Sequence, residues 1–427
     1  MKKYILIILC CLTSFPLWSY NVNMIVEHYS VDQGLPNNTV NCTLKDRDGF
    51  IWFGTWYGLC CFDGVKFKTF NKQEHDSDVP PRKIQRIVED KNGYIWVKTI
   101  DRKLYVFNKV TECFHAVYDD MKNYSENIQV IKLQNTAEGD VLLLTKDKNL
   151  LLAGVDEKGQ VTIKILFDSR DEINKHDYTL KHHVLCETEE YISWIGTDYK
   201  VSAVHKGAEL ASRPADFITS KINSGDKDSF TSFFEDGRKV WVGDRAGIFY
   251  SIDVRTGLVN RYVLSEIKGA ISNLLVTPAG YVYLSVAGQG TYEYDLAERR
   301  LQKINTEMND AMVTHAFIDQ YDKIWFHENE KALIYYDPLN HTAKRFPFTM
   351  FGKITTLYSE DAGERGLFFL SPAGEAWLFD REHAEMVYIN KLKQLSNDRA
   401  NQQFYHLMLD NDGVLWLSSA DEGVYCM

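Results

Sequence analysis

The sequence is poor in the features that mark several large classes of protein. It has only 9 prolines and 26 glycines in 427 residues, and 45% of it is hydrophobic. The chain can therefore bury a large core, and its composition is not that of a disordered protein. It has no long run of lysine or arginine, and its formal net charge is -11. Because a nucleic-acid-binding surface needs clustered cations that face phosphates, we expect no nucleic acid among its partners.

The motifs of common catalytic and metal sites are missing too. The sequence contains no G-x-S-x-G, no H-E-x-x-H and no glycine-rich phosphate loop. Its 8 cysteines do not have the spacing of a zinc site, and most lie in β-rich runs where a free cysteine packs well. His182 and His183 are adjacent, so a strand would point them to opposite faces. We predict no catalytic residue, no cofactor and no metal.

The first 20 residues have the pattern of a secretory signal. Lys2 and Lys3 precede an apolar run from Tyr4 to Leu17, which is short for a membrane span. An uncleaved membrane anchor is the alternative. No later run approaches the roughly 18 apolar residues of a transmembrane helix. We therefore expect residues 1–20 to be a signal peptide and the protein to be periplasmic.

A unit of roughly forty to fifty residues recurs along the rest of the chain. Its best copy spans 46–70, where Asp-Gly turns at Asp48 and Asp63 separate short alternating or aromatic runs. With the apolar run 39–44 in front, the unit has four antiparallel strands. Its second strand carries a large apolar anchor, and the nine anchors are Trp52, Trp96, Leu143, Trp194, Trp241, Tyr283, Trp325, Phe369 and Trp416.

Four short strands per period predict an all-β fold, a β-propeller with nine four-stranded antiparallel blades. We expect the anchors to fill the gaps between neighbouring blades. Aspartates near the turn before the anchor strand should cap backbone amides. They are Asp46, Asp90, Asp236, Asp319 and Asp410. The segment 46–49 faintly resembles a calcium loop, but no glutamate follows at the distance that a complete loop requires.

The first unit resembles a known family. Its pattern D-x-x-G-x-[IL]-W-x-G-T-x-x-G-L, with the opening segment from Tyr29 to Val40, is similar to the two-component regulator propeller repeats of Bacteroidetes hybrid two-component sensors. The resemblance covers roughly residues 25–427. It implies an extracytoplasmic sensor with two seven-bladed propellers, followed by a β-sandwich, a membrane helix, a histidine kinase and response-regulator modules. These downstream sensor modules, and a homodimer formed through them, are the partners that the resemblance implies.

Two arrangements of the nine units remain open. The resemblance implies a seven-bladed ring over 24–345 and two further blades, 346–427, of an incomplete second propeller. The alternative uses the apolar strand from Met24 to Tyr29 to complete the last blade, which would close one ring of eight or nine blades and remove two exposed edges.

We predict the ligand site on the loops that follow the second strand, which gather at one end of a propeller. Trp56 and Tyr57 are the leading pair, because this aromatic dipeptide does not recur in the other units and aromatic faces suit sugar rings. The alternative is that they cover a neighbouring blade. Further ligand-binding candidates are Asn37, Arg102, Tyr199, Asp244, Arg245 and Gln289, with Asn38, Asp101, Asp198 and Glu328 beside them.

The function implied by the resemblance is a periplasmic ligand-sensing propeller of a hybrid two-component sensor. It would bind an oligosaccharide and signal to a histidine kinase that this chain does not contain. We do not expect this chain to be an enzyme, because it carries no kinase motif. The alternatives are a secreted propeller lyase or glycoside hydrolase and a protein-docking scaffold.

Overall fold

The computed structural model describes most of the chain. The described residues are 25–70, 80–122, 124, 129–147, 149–167, 180–188, 190–196, 200–207, 217–221, 230–304, 313–351, 358–371, 374–391, 404–410 and 412–427. Within them the strands form nine four-stranded sheets, each antiparallel, which we call blades 1 to 9 in chain order. The all-β propeller fold predicted from the sequence is confirmed.

The blades have the same order of strands, first to fourth, from one edge of the sheet to the other. Blades 1 to 3 are Val40–Lys45, Ile51–Thr55, Gly58–Phe62, Phe67–Phe70; Ile84–Glu89, Ile95–Thr99, Leu104–Asn108, Cys113–Ala116; and Val130–Asn135, Val141–Thr145, Leu150–Val155, Val161–Phe167. Blades 4 to 6 are Leu180–Glu187, Tyr191–Gly196, Lys200–His205, Phe217–Lys221; Phe230–Glu235, Lys239–Asp244, Ile248–Asp253, Val259–Val263; and Ile271–Val276, Tyr281–Val286, Gly290–Asp295, Arg300–Lys303. Blades 7 to 9 are Val313–Ile318, Ile324–Glu328, Ala332–Asp337, Thr342–Pro347; Tyr358–Asp361, Leu367–Leu370, Glu375–Asp380, Glu385–Lys391; and Phe404–Leu409, Leu415–Ser419, Val424–Cys426, with Glu27–Tyr29 as the fourth strand.

Helical segments among the described residues are short. An α-helix, Tyr118–Met121, lies between blades 2 and 3, and 3-10 turns cover Val31–Gln33, Phe348–Phe351 and Gly363–Arg365. The described part of the chain has no helix with the length and hydrophobicity that a membrane span needs.

The second strands are buried because a neighbouring blade covers each of their faces. All five residues of Ile51–Thr55 and of Ile95–Thr99 are buried. The anchor tryptophan of one blade packs on the next blade along the chain: the rings of Trp52 and Phe107 are 5.5 Å apart, and those of Trp325 and Phe379 are 4.7 Å apart. These two anchors therefore fill the gaps between blades, as expected.

Three anchors chosen from the sequence are wrong by one residue. In blade 3 the strand pairing places Leu142 at the position that Trp52 occupies in blade 1. In blades 4 and 8 the corresponding residues are Ser193 and Phe368. Leu143, Trp194 and Phe369 therefore lie one residue later in their strands, at the position of Phe53 in blade 1. The cause is that successive residues of a strand face opposite sides, and an apolar run on a doubly covered strand does not indicate which side is which.

The capping aspartates hold both the turn and the anchor. Asp46 accepts hydrogen bonds at Oδ1 from the amides of Asp48 and Phe50, at 3.0 and 2.9 Å. Its other oxygen accepts the indole N–H of Trp52 at 2.7 Å. The same indole bond, at 2.7 to 3.2 Å, joins Trp96 to Asp90, Trp241 to Asp236, Trp325 to Asp319 and Trp416 to Asp410. The predicted capping is confirmed, and the bond to the indole adds to it.

Nine apolar clusters join the blades into a closed ring. Each cluster contains residues of two successive blades, from blades 1 and 2 through to blades 8 and 9. The remaining cluster joins blade 9 to blade 1 and includes Trp416, Val424, Phe53 and Phe62. Since every blade packs on two neighbours, the described residues form one cycle of nine.

The strand Glu27–Tyr29 completes the ninth sheet. It pairs with Val424–Cys426 in antiparallel register, with Glu27 opposite Cys426 and Tyr29 opposite Val424. This is the pairing of the nine-bladed alternative. In the division at 345 the same strand would complete the seventh sheet, but that sheet already has Thr342–Pro347 as its fourth strand. The strand pairing therefore differs from the one that the division into 24–345 and 346–427 requires. Both arrangements were open from the sequence, because no local signal decides between two backbone pairings over such a sequence distance.

Five cysteines whose side chains the structure describes are free thiols. Cys42, Cys60, Cys61 and Cys426 are buried, and Cys113 is half-buried. Burial raises the pKa of Cys42 and of Cys61 to about 12, so these thiols stay protonated at neutral pH and are poor nucleophiles. This agrees with the interpretation of the cysteines as small packing residues.

Candidate ligand-binding face

The turns between second and third strands lie at one end of the ring, which we call the loop face. Backbone hydrogen bonds join these turns to the segments that enter the first strands. Trp56 donates to the carbonyl of Thr39 at 3.2 Å, and Lys83, at the entry to blade 2, donates to the carbonyl of Trp56 at 2.9 Å. Val130, at the start of blade 3, donates to the carbonyl of Arg102 at 2.9 Å. The backbone of the loop face is therefore fixed, and its side chains are presented from a rigid base.

Trp56 and Tyr57 are the exposed aromatic residues of this face in blade 1. Trp56 is 40% exposed and Tyr57 is 63% exposed. The Nζ of Lys83 lies 5.1 Å from the centre of the Trp56 ring, so one face of the indole carries a cation from blade 2. Below them, the Thr55 hydroxyl donates to the Gly58 carbonyl at 2.8 Å and closes the turn. The pair thus stands on a closed turn with most of the Tyr57 ring in solvent.

Arg102 lies in the equivalent turn of blade 2, beside a cavity of about 290 Å³ between blades 2 and 3. Its φ of 68° is in the left-handed region, which costs energy for a residue with a side chain. The neighbouring Asp101 accepts from the Thr99 hydroxyl at 2.5 Å and pairs with Lys103 at 3.3 Å. Polar and apolar residues line this cavity, namely Asp101, Arg102, Lys103, Leu104, Tyr105, Ala116, Val117, Tyr118, Met121 and Gln129.

Three candidates from the sequence have their polar atoms engaged inside the protein. Asp244 is buried; its Oδ1 accepts from the amides of Ala246 and Ile248, at 2.9 and 2.8 Å. Gln289 bridges two backbone groups, the amide of Lys268 at 2.7 Å and the carbonyl of Glu266 at 3.0 Å. Glu328 is buried and pairs with Arg345 at 3.0 Å. These contacts assign all three side chains to the construction of the turns.

The other candidates fall into three groups. Asn37 and Asn38 fold the entry to blade 1: Asn37 Oδ1 accepts from the amide of Thr39 at 2.8 Å, and Asn38 Oδ1 accepts from that of Val31 at 2.9 Å. Arg245 is exposed on the loop face. Asp198 and Tyr199 lie outside the described residues, as does the predicted signal peptide.

The first strands and the residues beside them carry basic side chains, of which the sequence analysis identified only Arg102. They surround the centre of the ring, since the first strands of blades 1, 2 and 9 are neighbours. On them, or directly beside them, lie Arg86, Lys98, Arg102 and His406, which we call the cation cluster. Lys98 is 6% exposed, and His406 Nδ1 is 2.7 Å from the hydroxyl of Thr43. The sequence does contain one signal for Lys98, a lysine in a largely apolar second strand. That strand of blade 2 reads Ile-Trp-Val-Lys-Thr, where blade 1 reads Ile-Trp-Phe-Gly-Thr.

The opposite end of the ring carries an acidic group that is already neutralised by a cation. Oxygen atoms of Asp46, Asp48 and Glu89 lie within 4.8 Å of one another. The Nζ of Lys109, from blade 2, is 3.0, 2.7 and 2.8 Å from these three carboxylates. Arg381 does the same for Asp319 and Asp361, at 2.6 Å each. These ion pairs tie neighbouring blades together.

The fold and its repeat define a β-propeller, and comparisons with known proteins agree with this class. The family model described as two component regulator propeller matches residues 34–57, from the opening segment into the loop face of blade 1. The recognition of such repeats from the sequence is therefore confirmed. No curated protein matches the chain.

Similar solved structures include two extracellular domains from B. thetaiotaomicron. That of the putative one component system BT4673 is 14% identical, with a TM-score of 0.35 and coverage of 92% of this chain and 65% of that chain. That of the putative hybrid two component system BT3049 is also 14% identical, with a TM-score of 0.36 and coverage of 92% and 58%. The Dos1 propeller is 12% identical, with a TM-score of 0.48 and coverage of 96% and 94%. This chain thus spans less than two thirds of the length of the two B. thetaiotaomicron domains.

Proposed function

We propose that this chain is the ligand-sensing propeller of a periplasmic hybrid two-component sensor and that it binds an oligosaccharide on the loop face of blade 1. The family description supplies the two-component context, and the matched segment ends at Tyr57. A histidine kinase on a downstream module would receive the signal. A homodimer formed through that downstream region is part of the same proposal.

The observation that carries the proposal is the exposure of Trp56 and Tyr57 on a fixed backbone. Two adjacent exposed aromatic rings offer an apolar surface to a ligand, and a flat apolar ring packs well on the C–H face of a sugar. Asp244, Gln289 and Glu328, in other turns of the same face, are engaged inside the protein. Unlike these three side chains, the aromatic pair is therefore available to a ligand on the loop face.

Binding to a panel of neutral and acidic oligosaccharides, measured by isothermal titration calorimetry, tests the proposal. We expect the double variant Trp56→Ala/Tyr57→Ala to bind the best ligand at least about tenfold more weakly, since stacking contributes roughly 0.5–1.5 kcal/mol per ring beyond the area that it buries. Its melting temperature should change little, because Tyr57 is 63% exposed and Trp56 is 40% exposed, so neither belongs to the core between the blades.

The matched control is Phe50→Ala. Phe50 is 42% exposed and belongs to the same blade, but it lies in the turn before the second strand, at the opposite end of the ring. This variant should bind like the wild type. Equal affinity of the double variant and the control would refute the proposed site, and release of shorter sugars during the titration would favour the enzymatic alternative.

A further inference from the structure

A bulge near the start of the first strand recurs around the ring. In blade 2 the register shifts between Ile84 and Arg86, so that Gln85 and Arg86 together lie opposite Lys98. The same shift occurs at the same place in blades 1, 3, 5, 6, 7 and 9. The side-chain amide of Asn41, in the bulge of blade 1, donates to the carbonyl of Ile84 at 2.7 Å. The bulge residues therefore lie side by side around the centre of the ring, near the loop face.

Lys98 is an unexpected residue at its position. The corresponding residues of five other blades are uncharged, namely Gly54, Leu144, Gly243, Ser285 and Ser418. A Cβ on Gly54 would lie 2.5 Å from Cγ2 of Ile84, which shows how closely this position approaches the next blade. Lysine is almost never this deeply buried without an anionic partner, because its desolvation is costly.

The ammonium group of Lys98 has a neutral partner. Its Nζ donates a hydrogen bond to Oε1 of Gln85. The residue opposite on the neighbouring strand is the cation Arg86, and like charges at directly opposed positions destabilise a sheet. Burial first, and then the charges of Arg102 and Arg86, lower the pKa of Lys98.

Lys98 is buried, whereas Arg86 and Arg102 are exposed, and the lack of an anion sets Lys98 apart from the partly buried cations of the protein. Lys109 pairs with Asp46, Lys206 with Glu187, Arg345 with Glu328 and Arg381 with Asp319. Among the residues that the structure describes, no carboxylate lies within 4.0 Å of the charged nitrogens of Lys98, Arg86 or Arg102. In a chain with a net charge of -11, a group of cations without a carboxylate needs an explanation.

Closure of the ring extends the cluster across three blades. His406 comes from blade 9 and Thr43 from blade 1, and the two side chains are hydrogen-bonded. Burial and then the charge of Arg86, in blade 2, lower the pKa of His406. Arg86 also acts electrostatically on Cys42 of blade 1. Arg86 therefore faces the point where blades 9, 1 and 2 meet.

We infer that the cation cluster binds an anionic group of a ligand at the centre of the ring. A carboxylate, a sulfate and a phosphate share the required chemistry, since each offers several oxygen acceptors to the ammonium of Lys98 and the guanidinium of Arg86. The bound anion would offset the cost of burying Lys98. Lys83 links this site to the aromatic pair. Its backbone N–H donates a hydrogen bond to the carbonyl of Trp56, and Lys83 directly precedes the first strand of blade 2.

The inference that the anion belongs to a sugar rests on the proposed function. The inference that the cluster binds an anion does not rest on it. Inorganic sulfate is therefore the first probe. Isothermal titration of the full chain with sodium sulfate, at ionic strength held constant with sodium chloride, should show saturable binding. In Arg86→Gln and in Lys98→Met we expect the sulfate affinity to fall at least tenfold.

Lys45→Met is the matched control. Lys45 is half-buried at the other end of the first strand of blade 1, and its substitution removes the same charge without touching the cluster. This variant should bind sulfate like the wild type.

Lys98→Met should also melt at a higher temperature than the wild type without sulfate, because it removes an unpaired buried charge. Sulfate binding that is equal in Arg86→Gln, Lys45→Met and the wild type would overturn the inference, as would no saturable binding in the wild type.

A second pair of probes separates an inorganic anion from an acidic sugar. Digalacturonate should bind at least tenfold more tightly than its neutral counterpart galactobiose, and Arg86→Gln should remove the difference. Equal affinity for the two sugars would contradict a sugar anion at the cluster. The variant Trp56→Ala/Tyr57→Ala distinguishes the two sites. If it binds sulfate like the wild type but binds digalacturonate only as weakly as sulfate, the anion site is intact and the aromatic site is lost.

Discussion

At the scale of single residues, aspartate in the turn and tryptophan in the following strand occur together. Five blades have both, and their indole N–H groups are bonded to the aspartates. The four blades without tryptophan at that register have Leu142, Ser193, Tyr283 or Phe368. In the turn they have Thr136, Thr188, Thr277 or Ala362 in place of aspartate. The aspartate is therefore retained where there is an indole to bond.

We expect Asp90→Asn to destabilise the protein by about 1–3 kcal/mol. The asparagine oxygen can still cap the amides of Asn92 and Tyr94, but its NH₂ group then faces the indole N–H of Trp96. Both groups are donors, so a buried N–H loses its acceptor. Chemical unfolding, followed by tryptophan fluorescence, measures the change in the free energy of unfolding.

Asp156→Asn is the control for this prediction. Asp156 caps the amides of Lys158 and Gln160, at 2.9 and 2.8 Å, in a turn without an indole partner. Its substitution should change the unfolding free energy by less than about 0.5 kcal/mol. Equal effects of the two substitutions would mean that the indole bond contributes nothing measurable.

Sequence reasoning found the capping role of the aspartates from residue type and turn position. It could not find the indole bond or the buried Lys98, because both depend on which face of the second strand each residue occupies. That face is fixed by the strand register, and three of the nine anchors were assigned to the wrong face. Trp56 and Tyr57 were identified because they break the repeat, which needs no register.

At the scale of elements, the short strand Glu27–Tyr29 has contacts beyond its backbone pairing. The ring of Tyr29 lies 5.2 Å from that of Phe62 and 5.4 Å from that of Phe67, both in blade 1. It lies 6.2 Å from the ring of Trp416 in blade 9. The His28 ring stacks on Tyr425 at 4.5 Å. A strand of three residues thus joins two blades through its aromatic side chains.

Tyr29→Ala should lower the free energy of unfolding by about 2 kcal/mol, somewhat less than a fully buried aromatic residue would lose. The loss arises at the contact between blades 9 and 1, where three aromatic partners lose their neighbour. Val31→Ala, two residues away with a side chain that is 47% exposed, should have almost no effect. Differential scanning calorimetry compares the two, and equal melting temperatures would argue against a closing role for Tyr29.

In the turns, the sequence predicts the backbone but not the roles of the polar side chains. The position of each turn followed from its Asp-Gly and Gly residues, and the four-strand unit was correct. Whether a polar side chain in such a turn faces solvent or bonds the backbone was not predictable, because aspartate and glutamine serve both purposes. Asp244 and Gln289 therefore looked like Trp56 in the sequence and differ from it in the structure.

At the scale of the whole molecule, closure is what creates the centre of the ring. The nine clusters between blades form one cycle, and the pairing of Glu27–Tyr29 with Val424–Cys426 completes it. The cation cluster depends on this closure, since His406 and Arg86 come from opposite ends of the chain. The proposal for a ligand at the centre therefore requires one ring of nine blades.

A disulfide trap tests that closure most directly. Glu27 lies opposite Cys426, and opposed residues of antiparallel strands are about 4.5–5.5 Å apart at Cα, within the range that a disulfide spans. The variant Glu27→Cys is oxidised, digested without reduction and analysed by mass spectrometry for the peptide that joins residues 27 and 426. His28→Cys is the control, because its side chain points to the other face of the strand.

We predict that the cross-linked peptide forms in nearly all molecules of Glu27→Cys and in few of His28→Cys. We also predict that the cross-link raises the melting temperature, because it locks the ring. A Glu27→Cys variant whose new thiol stays free after oxidation, or that cross-links no more than the control, would contradict the closed ring of nine blades.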